Sequence, residues 1–403
     1  MSTIAQQIRE RLNIHELRWL IAPVTAFLIT RVLIFGVVLF ADVIFPNFYD
    51  IQFYHSGNFG ADYVEAWHRW DTKWYAQIVE GGYSHRTDDV SLVAYFPLYP
   101  LLISFMKLLT GGDSVLAGLI LANGFYFAVL LLLYQFILMK FGHDEEQEKT
   151  AARAVFYLSA FPLSFFFAAA YTESLFLLLT LATFYACERR AWGWAVAAGA
   201  LASATRLPGA LMFGVVMLEW AAAHGWTLRT LFQAESWRNL WTGIRTETRT
   251  FLSIFLIPSG LLFYMLFLQI RFGDPLIFAS AHYTLRQHNS PLVLINDILL
   301  LLQGELWPSY VMDLFVLFVV AALIVPIWRR FGESYGMYVL LSVLIPISSG
   351  VMSFTRYAMV LFPVSILLGM WGQRRVLDLP LRIISLVLLP IFTIMFVKWI
   401  FLG

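Results

Sequence analysis

Charge is scarce in this sequence. Only 13% of its 403 residues are Asp, Glu, Lys or Arg, about half the share found in soluble globular domains. The 27 basic and 26 acidic residues nearly cancel, so no basic domain offers itself to nucleic acid. A single cysteine, Cys187, rules out an intrachain disulfide, and its apolar neighbours make it a small core residue. No CxxC or HExxH spacing marks a metal site. There is no glycine-rich nucleotide loop and no cytoplasmic DxD, so a nucleotide-sugar donor has no support and no cofactor is expected. Low-complexity linkers and fixed-period repeats are also missing.

What fills the chain is apolar sequence. Hydrophobic residues make up 60% and the mean hydropathy is +0.72, which excludes disorder. Apolar runs of bilayer-crossing length, about 15–25 residues, recur from Ile21 to Leu402. The expected fold is all-α: one polytopic membrane domain over 1–403 with about eleven spans. These fall near 20–41, 115–139, 154–170, 174–187, 192–205, 207–222, 251–271, 309–328, 335–351, 357–372 and 381–402. The shorter ones must bend, or end partway across inside a protein cavity. Residues 1–19 read as an interfacial helix or a frayed polar tail. Ile4, Ile8, Leu12 and Leu17 fall near helical spacing, with Arg9, Arg11 and Arg18 on or near the other side.

Basic residues set the orientation. With a cytoplasmic N-terminus, the inside segments collect most Lys and Arg, including the pairs Arg189–Arg190, Arg329–Arg330 and Arg374–Arg375, as the positive-inside rule requires. This works only if 92–109, broken by Pro97 and Pro100, is a juxtamembrane or re-entrant helix. Two long outer loops then result, 42–114 and 272–308, both rich in aromatics and proline. Long apolar loops of this kind tend to be ordered and functional.

The densest chemical grouping runs from Glu65 to Ser84, followed by YFPLYPLL. Asp71 lies among Trp67, Trp70, Trp74 and Tyr75, where a carboxylate at a membrane surface suits a general base. His68, one helical turn earlier, is placed to orient Asp71, Thr72 or a substrate hydroxyl. Tyr95 and Tyr99 extend the aromatic lining. The alternative is an interfacial aromatic belt with incidental charges. Glu173, in YTES, is an ionisable group entering a membrane helix, either facing a cavity or serving as an N-terminal acid. Arg206 and Arg356 stand at the outer mouths of spans. There a guanidinium either forks onto a phosphate or snorkels to headgroups. Two arginines on the side of the acid-bearing loop favour an anionic lipid site. Arg31, mid-span, needs an internal partner and reads as structural. His282, Arg286 and His288 in the second loop fit substrate hydrogen bonding or a solvated loop.

At WDTKWYAQIVEGGYS, YFPLYPLL, YTESLFLLLTLATFYACERRAWGWAVAAGALASATRLPG and SFTRYAMVLFPVSILLG, the sequence resembles bacterial relatives of the second mannosyltransferase of GPI-anchor assembly. This is the PIG-V-like family of GT-C glycosyltransferases. The likeness extends in order over about three quarters of the chain. It implies a GT-C bundle with juxtamembrane helices in the first outer loop, in a bacterial inner membrane. It further implies inverting transfer of mannose from a polyprenyl- or dolichyl-phosphate donor to a lipid or glycan acceptor, outside the cytoplasm and with no obligatory metal. The family's first-loop acid falls on Asp71, with Arg206 and Glu173 as site residues. The rival from another class is a lipid or solute transporter or flippase. It predicts broken helices in matched halves and charges near the midplane, whereas the notable charges here gather at span mouths.

Overall fold

A computed structural model describes residues 17–44, 63–85, 91–286, 298, 308–347, 351–400 and 402, with backbone alone at 42–43, 282–286 and 308. Most of the interfacial helix expected over 1–19 lies outside these residues. So do 45–62 and 86–90 of the first outer loop, and 287–297 and 299–307 of the second.

The described residues are helical and contain no strand. In chain order they form α1 (Ile21–Ile44), α2 (Asp71–Gly81), α3 (Leu98–Met106), α4 (Ser114–Phe141), α5 (Glu145–Ala160), α6 (Glu173–Glu188), α7 (Trp192–Ser203), α8 (Met212–Ala223) and α9 (Ala234–Thr246). The order continues with α10 (Thr248–Ile254), α11 (Ser259–Phe272), α12 (Ile277–Arg286), α13 (Pro308–Phe331), α14 (Glu333–Ile347), α15 (Phe354–Ala358), α16 (Phe362–Trp371) and α17 (Arg375–Val397).

Among the described residues, four helical stretches are long and apolar enough to cross a membrane: Arg18–Ala41, Ser114–Phe141, Ser309–Phe331 and Arg375–Val397. Helices α10 and α11, bent by 47° at their junction, make a fifth if taken together. The other expected spans are shorter helices ended by local chemistry. Helix α5 stops at Phe161–Pro162, and α7 stops before Arg206-Leu207-Pro208-Gly209, as proline and polar breaks require. The stretch 92–109 is a single 3₁₀ turn followed by α3, which has nine residues. At 1.5 Å per residue that is too short to span.

Capping is explicit where it sets helix direction. Asp113 accepts the Leu116 N–H at 2.9 Å to start α4, and Asp144 accepts the Gln147 N–H at 2.9 Å to start α5. Close helix crossings use small residues. A Cβ at Gly369 of α16 would sit 2.7 Å from the Thr150 carbonyl oxygen of α5, so these backbones touch as small-residue interfaces in membranes allow. Tyr126 stacks on Phe167 with centroids 4.5 Å apart, and Arg31 lies over the Tyr126 ring at 4.5 Å. The buried Arg31 guanidinium makes no hydrogen bond among the described residues, so ring faces are its partners.

The bundle has two chemically different ends. At one end Lys140 of α4 meets Glu188 of α6, whose carboxylate also accepts the Tyr335 hydroxyl of α14 at 2.6 Å. Asp378 of α17 takes the Tyr157 hydroxyl of α5 at 2.5 Å nearby. Arg189, Arg190, Arg329, Arg330, Arg374 and Arg375 all belong to this end, at the termini of the same helices. The opposite end receives the start of α2, the start of α6, the turn after α7, and α15.

Candidate active site

Asp71 opens α2 immediately after a strained residue. Trp70 holds φ 51° and ψ −122°, and its ring packs edge-on against Trp399 at 5.3 Å. Positive φ at a bulky residue costs on the order of 1–3 kcal/mol, and such strain collects at functional sites. The preceding turn is tied down by buried Arg69. Its Nε donates to the Val397 carbonyl at 3.0 Å and its Nη1 to that of Glu65 at 2.6 Å.

Three further segments converge on this point. The YTES stretch lies against α4, where the Asn123 amide donates to the Ala168 carbonyl at 3.0 Å and so places Tyr171 and Glu173. Arg206 is delivered by the turn after α7, and Arg356 by α15.

These residues join into one chain of ion pairs. Arg356 Nη1 meets Asp71 Oδ2 at 2.6 Å, and Arg356 Nε meets Glu173 Oε1 at 2.5 Å. Arg206 Nη1 meets the same Glu173 oxygen at 2.6 Å. Two carboxylates and two guanidiniums thus balance in charge, and a buried array is tolerable only when balanced. The Glu173 side chain is 0% exposed and each arginine 12%, whereas Asp71 is 22% exposed. Asp71 is therefore the member most open to a substrate.

Tyrosines hold the array. Tyr95 donates its hydroxyl to Asp71 Oδ1 at 3.2 Å, and the Asp71 N–H donates to the Tyr171 hydroxyl at 3.1 Å. Burial pushes the Tyr95 phenol well above its ordinary range, so it remains a proton donor at neutral pH. The Tyr171 ring lies under the Arg356 guanidinium at 4.6 Å. Arg206 stacks similarly over Tyr357 at 5.0 Å.

Other residues singled out from the sequence take different places. His68 Nδ1 faces Glu65 Oε2 at 3.3 Å and not Asp71. Trp74 carries Lys73 over its ring at 5.0 Å. Tyr75 and Tyr99 are buried under the array with their rings at right angles, 5.3 Å apart. The Tyr75 hydroxyl points to Thr172 Oγ1 at 3.5 Å and that of Tyr99 donates to the Gly118 carbonyl at 2.9 Å. Both belong to one buried cluster with Ile103, Ala117 and Leu175. Trp67 is likewise fully buried, against Phe35. The side chain of His282 lies outside the described residues.

Asp313 does not stand out in the sequence, yet it shapes the site. Buried near the start of α13, it accepts the Ser353 N–H at 2.8 Å and the Thr355 N–H at 2.7 Å. It therefore caps the turn that carries Arg356. The one signal of it is an acid five residues after Pro308, inside an apolar run.

Gly209 performs a comparable task for Arg206. A Cβ there would collide with the Ala202 carbonyl and the Ser203 amide, so the Arg206 turn closes tightly onto α7. Gly209→Ala is expected to cost about 2–3 kcal/mol of stability through overpacking against backbone. Thermal unfolding in detergent measures this, and an unchanged midpoint would refute the close-packing argument.

Among the described residues no three His, Cys, Asp or Glu side chains gather as metal ligands. A crevice of about 1230 Å³, lined in part by Arg18, Tyr134, Lys149, Arg153 and Arg382, opens at the opposite end and contains none of the four paired residues.

A family model described as Mannosyltransferase (PIG-V) matches residues 46–276, more than half of the chain and inclusive of Asp71, Glu173 and Arg206. No curated protein matches the sequence. Arg356 and Asp313 lie beyond the matched stretch, joined to it by the ion pairs and the cap just described. The chain belongs to the PIG-V mannosyltransferase family, and it is an apolar, helical glycosyltransferase of the membrane-protein type.

Proposed function

We propose that this protein is a GT-C enzyme transferring mannose, with inversion, from a polyprenyl- or dolichyl-phosphate-linked donor to a lipid or glycan hydroxyl on the extracytoplasmic face. The observation that carries this reading is the partly open Asp71 carboxylate, set 2.6 Å from a guanidinium in an otherwise buried ion array. A base next to a cation is what displacement at a sugar phosphate needs.

The acceptor hydroxyl gives its proton to Asp71, and its oxygen forms the new bond to the anomeric carbon. The bond from that carbon to the phosphate oxygen breaks, and the lipid phosphate departs with one more negative charge than it had in the donor. Arg206 and Arg356 meet that charge. Cations already in place stabilise it without reorganisation in a site shielded from water.

Sidedness rests on the two ends of the bundle. The end opposite the array carries every Arg-Arg pair, so the positive-inside rule puts the array outside. Gln77 of α2 and Arg238 of α9 are both exposed, and the native Cys187 is buried. Gln77→Cys should therefore react with impermeant thiol reagents from outside intact cells, and Arg238→Cys only after permeabilisation. The reverse pattern would overturn the orientation.

The direct test offers purified protein labelled polyprenyl-phosphate-mannose and a candidate acceptor lipid. A mannosylated product is expected, whereas movement of the unmodified lipid between leaflets without product would favour a flippase. Within this assay Arg206→Ala is expected to lower donor kcat/KM about a hundredfold. Arg206→Lys should recover part of it, because a point charge lacks the planar fork. Unchanged donor use by Arg206→Ala would remove Arg206 from the phosphate site.

A further inference from the structure

The guanidinium assigned to the donor phosphate is also the one that holds the base. Arg356 Nη1 is on Asp71 Oδ2 at 2.6 Å and Nε is on Glu173 Oε1 at 2.5 Å. A phosphate arriving beside Arg356 competes with the Asp71 carboxylate for the Nη1 N–H, since carboxylate and phosphate oxygens both accept charge-assisted hydrogen bonds from a guanidinium. We infer that Arg356 is a two-position switch, bound to Asp71 in the empty enzyme and to the donor phosphate in the loaded one, so that seating the donor releases the base. This rests on the mannosyltransferase reading above and adds to it an order of events: donor first, then acceptor.

The surroundings permit such an exchange while preventing a larger movement. Asp313 takes two backbone N–H groups of the Arg356 turn, at 2.8 and 2.7 Å, which fixes the main chain. Ser353 in that turn stands at φ 67°, a left-handed conformation held by the same cap. The side chain, by contrast, lies on ring faces, Tyr171 at 4.6 Å and Phe166 at 5.2 Å. A ring face attracts a cation but fixes its in-plane rotation less strictly than a hydrogen bond does. Glu173 is the pivot, because its contact with Nε survives when Nη1 swings away. Its second oxygen, Oε2, is buried and makes no hydrogen bond among the described residues, which leaves an acceptor free beside the turning guanidinium. Arg206, on the same Glu173 oxygen, keeps the pivot charged and in place.

The switch makes an unusual demand of the base-less variant. If Arg356 rests on Asp71 about nine-tenths of the time, the apparent phosphate affinity is lowered about tenfold. Asp71→Asn should then bind farnesyl phosphate, as a soluble probe of the lipid-phosphate site, about tenfold more tightly than the parent. The gain should vanish when Arg356→Gln is combined with it, because no cation remains to be released. Simple repulsion between Asp71 and the phosphate would give the same gain in both backgrounds, and that result overturns the switch. Equal binding by Asp71→Asn and the parent, or no binding by either, overturns it as well. Should Arg356→Gln fail to purify as a folded species, Arg356→Lys serves in its place and is expected to shrink the gain. Turnover, measured on the same proteins, judges the underlying reading separately. An inactive Asp71→Asn with unchanged affinity keeps the base and discards the switch, while an active Asp71→Asn discards the base.

Discussion

Asp71→Asn is expected to lose about 10²–10⁴ of the transfer rate, the usual cost of removing a positioned general base. The substitution keeps the shape, and the amide oxygen can still accept from the Tyr95 hydroxyl, now 3.2 Å from Oδ1. The N–H of residue 71 still reaches the Tyr171 hydroxyl, because that bond belongs to the backbone. Arg356 keeps its contact with Glu173. What is lost is the carboxylate's basicity toward the acceptor proton. Arg356 and Arg206 then share the Glu173 carboxylate alone, but the change falls at the array's most exposed position, 22% against 0% for Glu173, so the fold should persist at some cost in stability while chemistry fails. Product formation from polyprenyl-phosphate-mannose by monodisperse protein measures this. Glu65→Gln is the control. Glu65 is about half exposed, and among the described residues its side chain meets His68 and not the array, so its substitution should leave turnover near normal. Near-normal turnover in Asp71→Asn would exclude Asp71 as the base.

Glu173→Gln is expected to be the most destabilising change in the site. The carboxylate is fully buried and a single oxygen meets both Arg206 and Arg356. Neutralising it leaves two guanidiniums in contact with one amide, one of them without any anion. Breaking a buried pair in this way typically costs about 3–5 kcal/mol, because an uncompensated charge remains inside. Glu80 offers the contrast. It pairs with Lys107 at 2.6 Å, but the carboxylate side chain is 54% exposed, and exposed pairs contribute little. Glu80→Gln should therefore barely move the unfolding midpoint in detergent, while Glu173→Gln should lower it clearly and weaken donor use as well. Equal midpoints for the two variants would show that Glu173 does not anchor the array.

Much of the site is legible in the amino-acid sequence, for a physical reason. In a chain this apolar, an ionisable residue at the mouth of an apolar run is costly unless it has a task. Glu173, Arg206 and Arg356 stand out on that ground, and Asp71 by its place in the aromatic run after the first span. The tyrosines do not sort themselves so readily. Tyr75, Tyr95 and Tyr99 look alike in sequence, yet Tyr95 reaches Asp71 while the other two are buried below it. Tyr171 is visible only as part of a motif, although its ring and hydroxyl touch both Arg356 and the backbone of Asp71. The span count is less legible still. Apolar residues serve both lipid-facing and buried surfaces, so run length alone does not separate a crossing helix from a shorter packed one. Against about eleven runs of near-spanning length, the described residues hold four crossing-length helices, or five with the bent pair.

The all-helical membrane class, the family and the identity of the four charged residues thus follow from sequence alone. Each depends only on composition and on local order along the chain. Which charge meets which was decided by the tertiary structure. Arg356 is distant in sequence from both Asp71 and Glu173, and Asp313 fixes Arg356 from yet another helix. Such pairings depend on how whole helices cross, at contacts such as Gly369 on Thr150 and the Arg206 turn on α7. Burying these charges is tolerable only because each meets its opposite, and no segment can supply that balance alone.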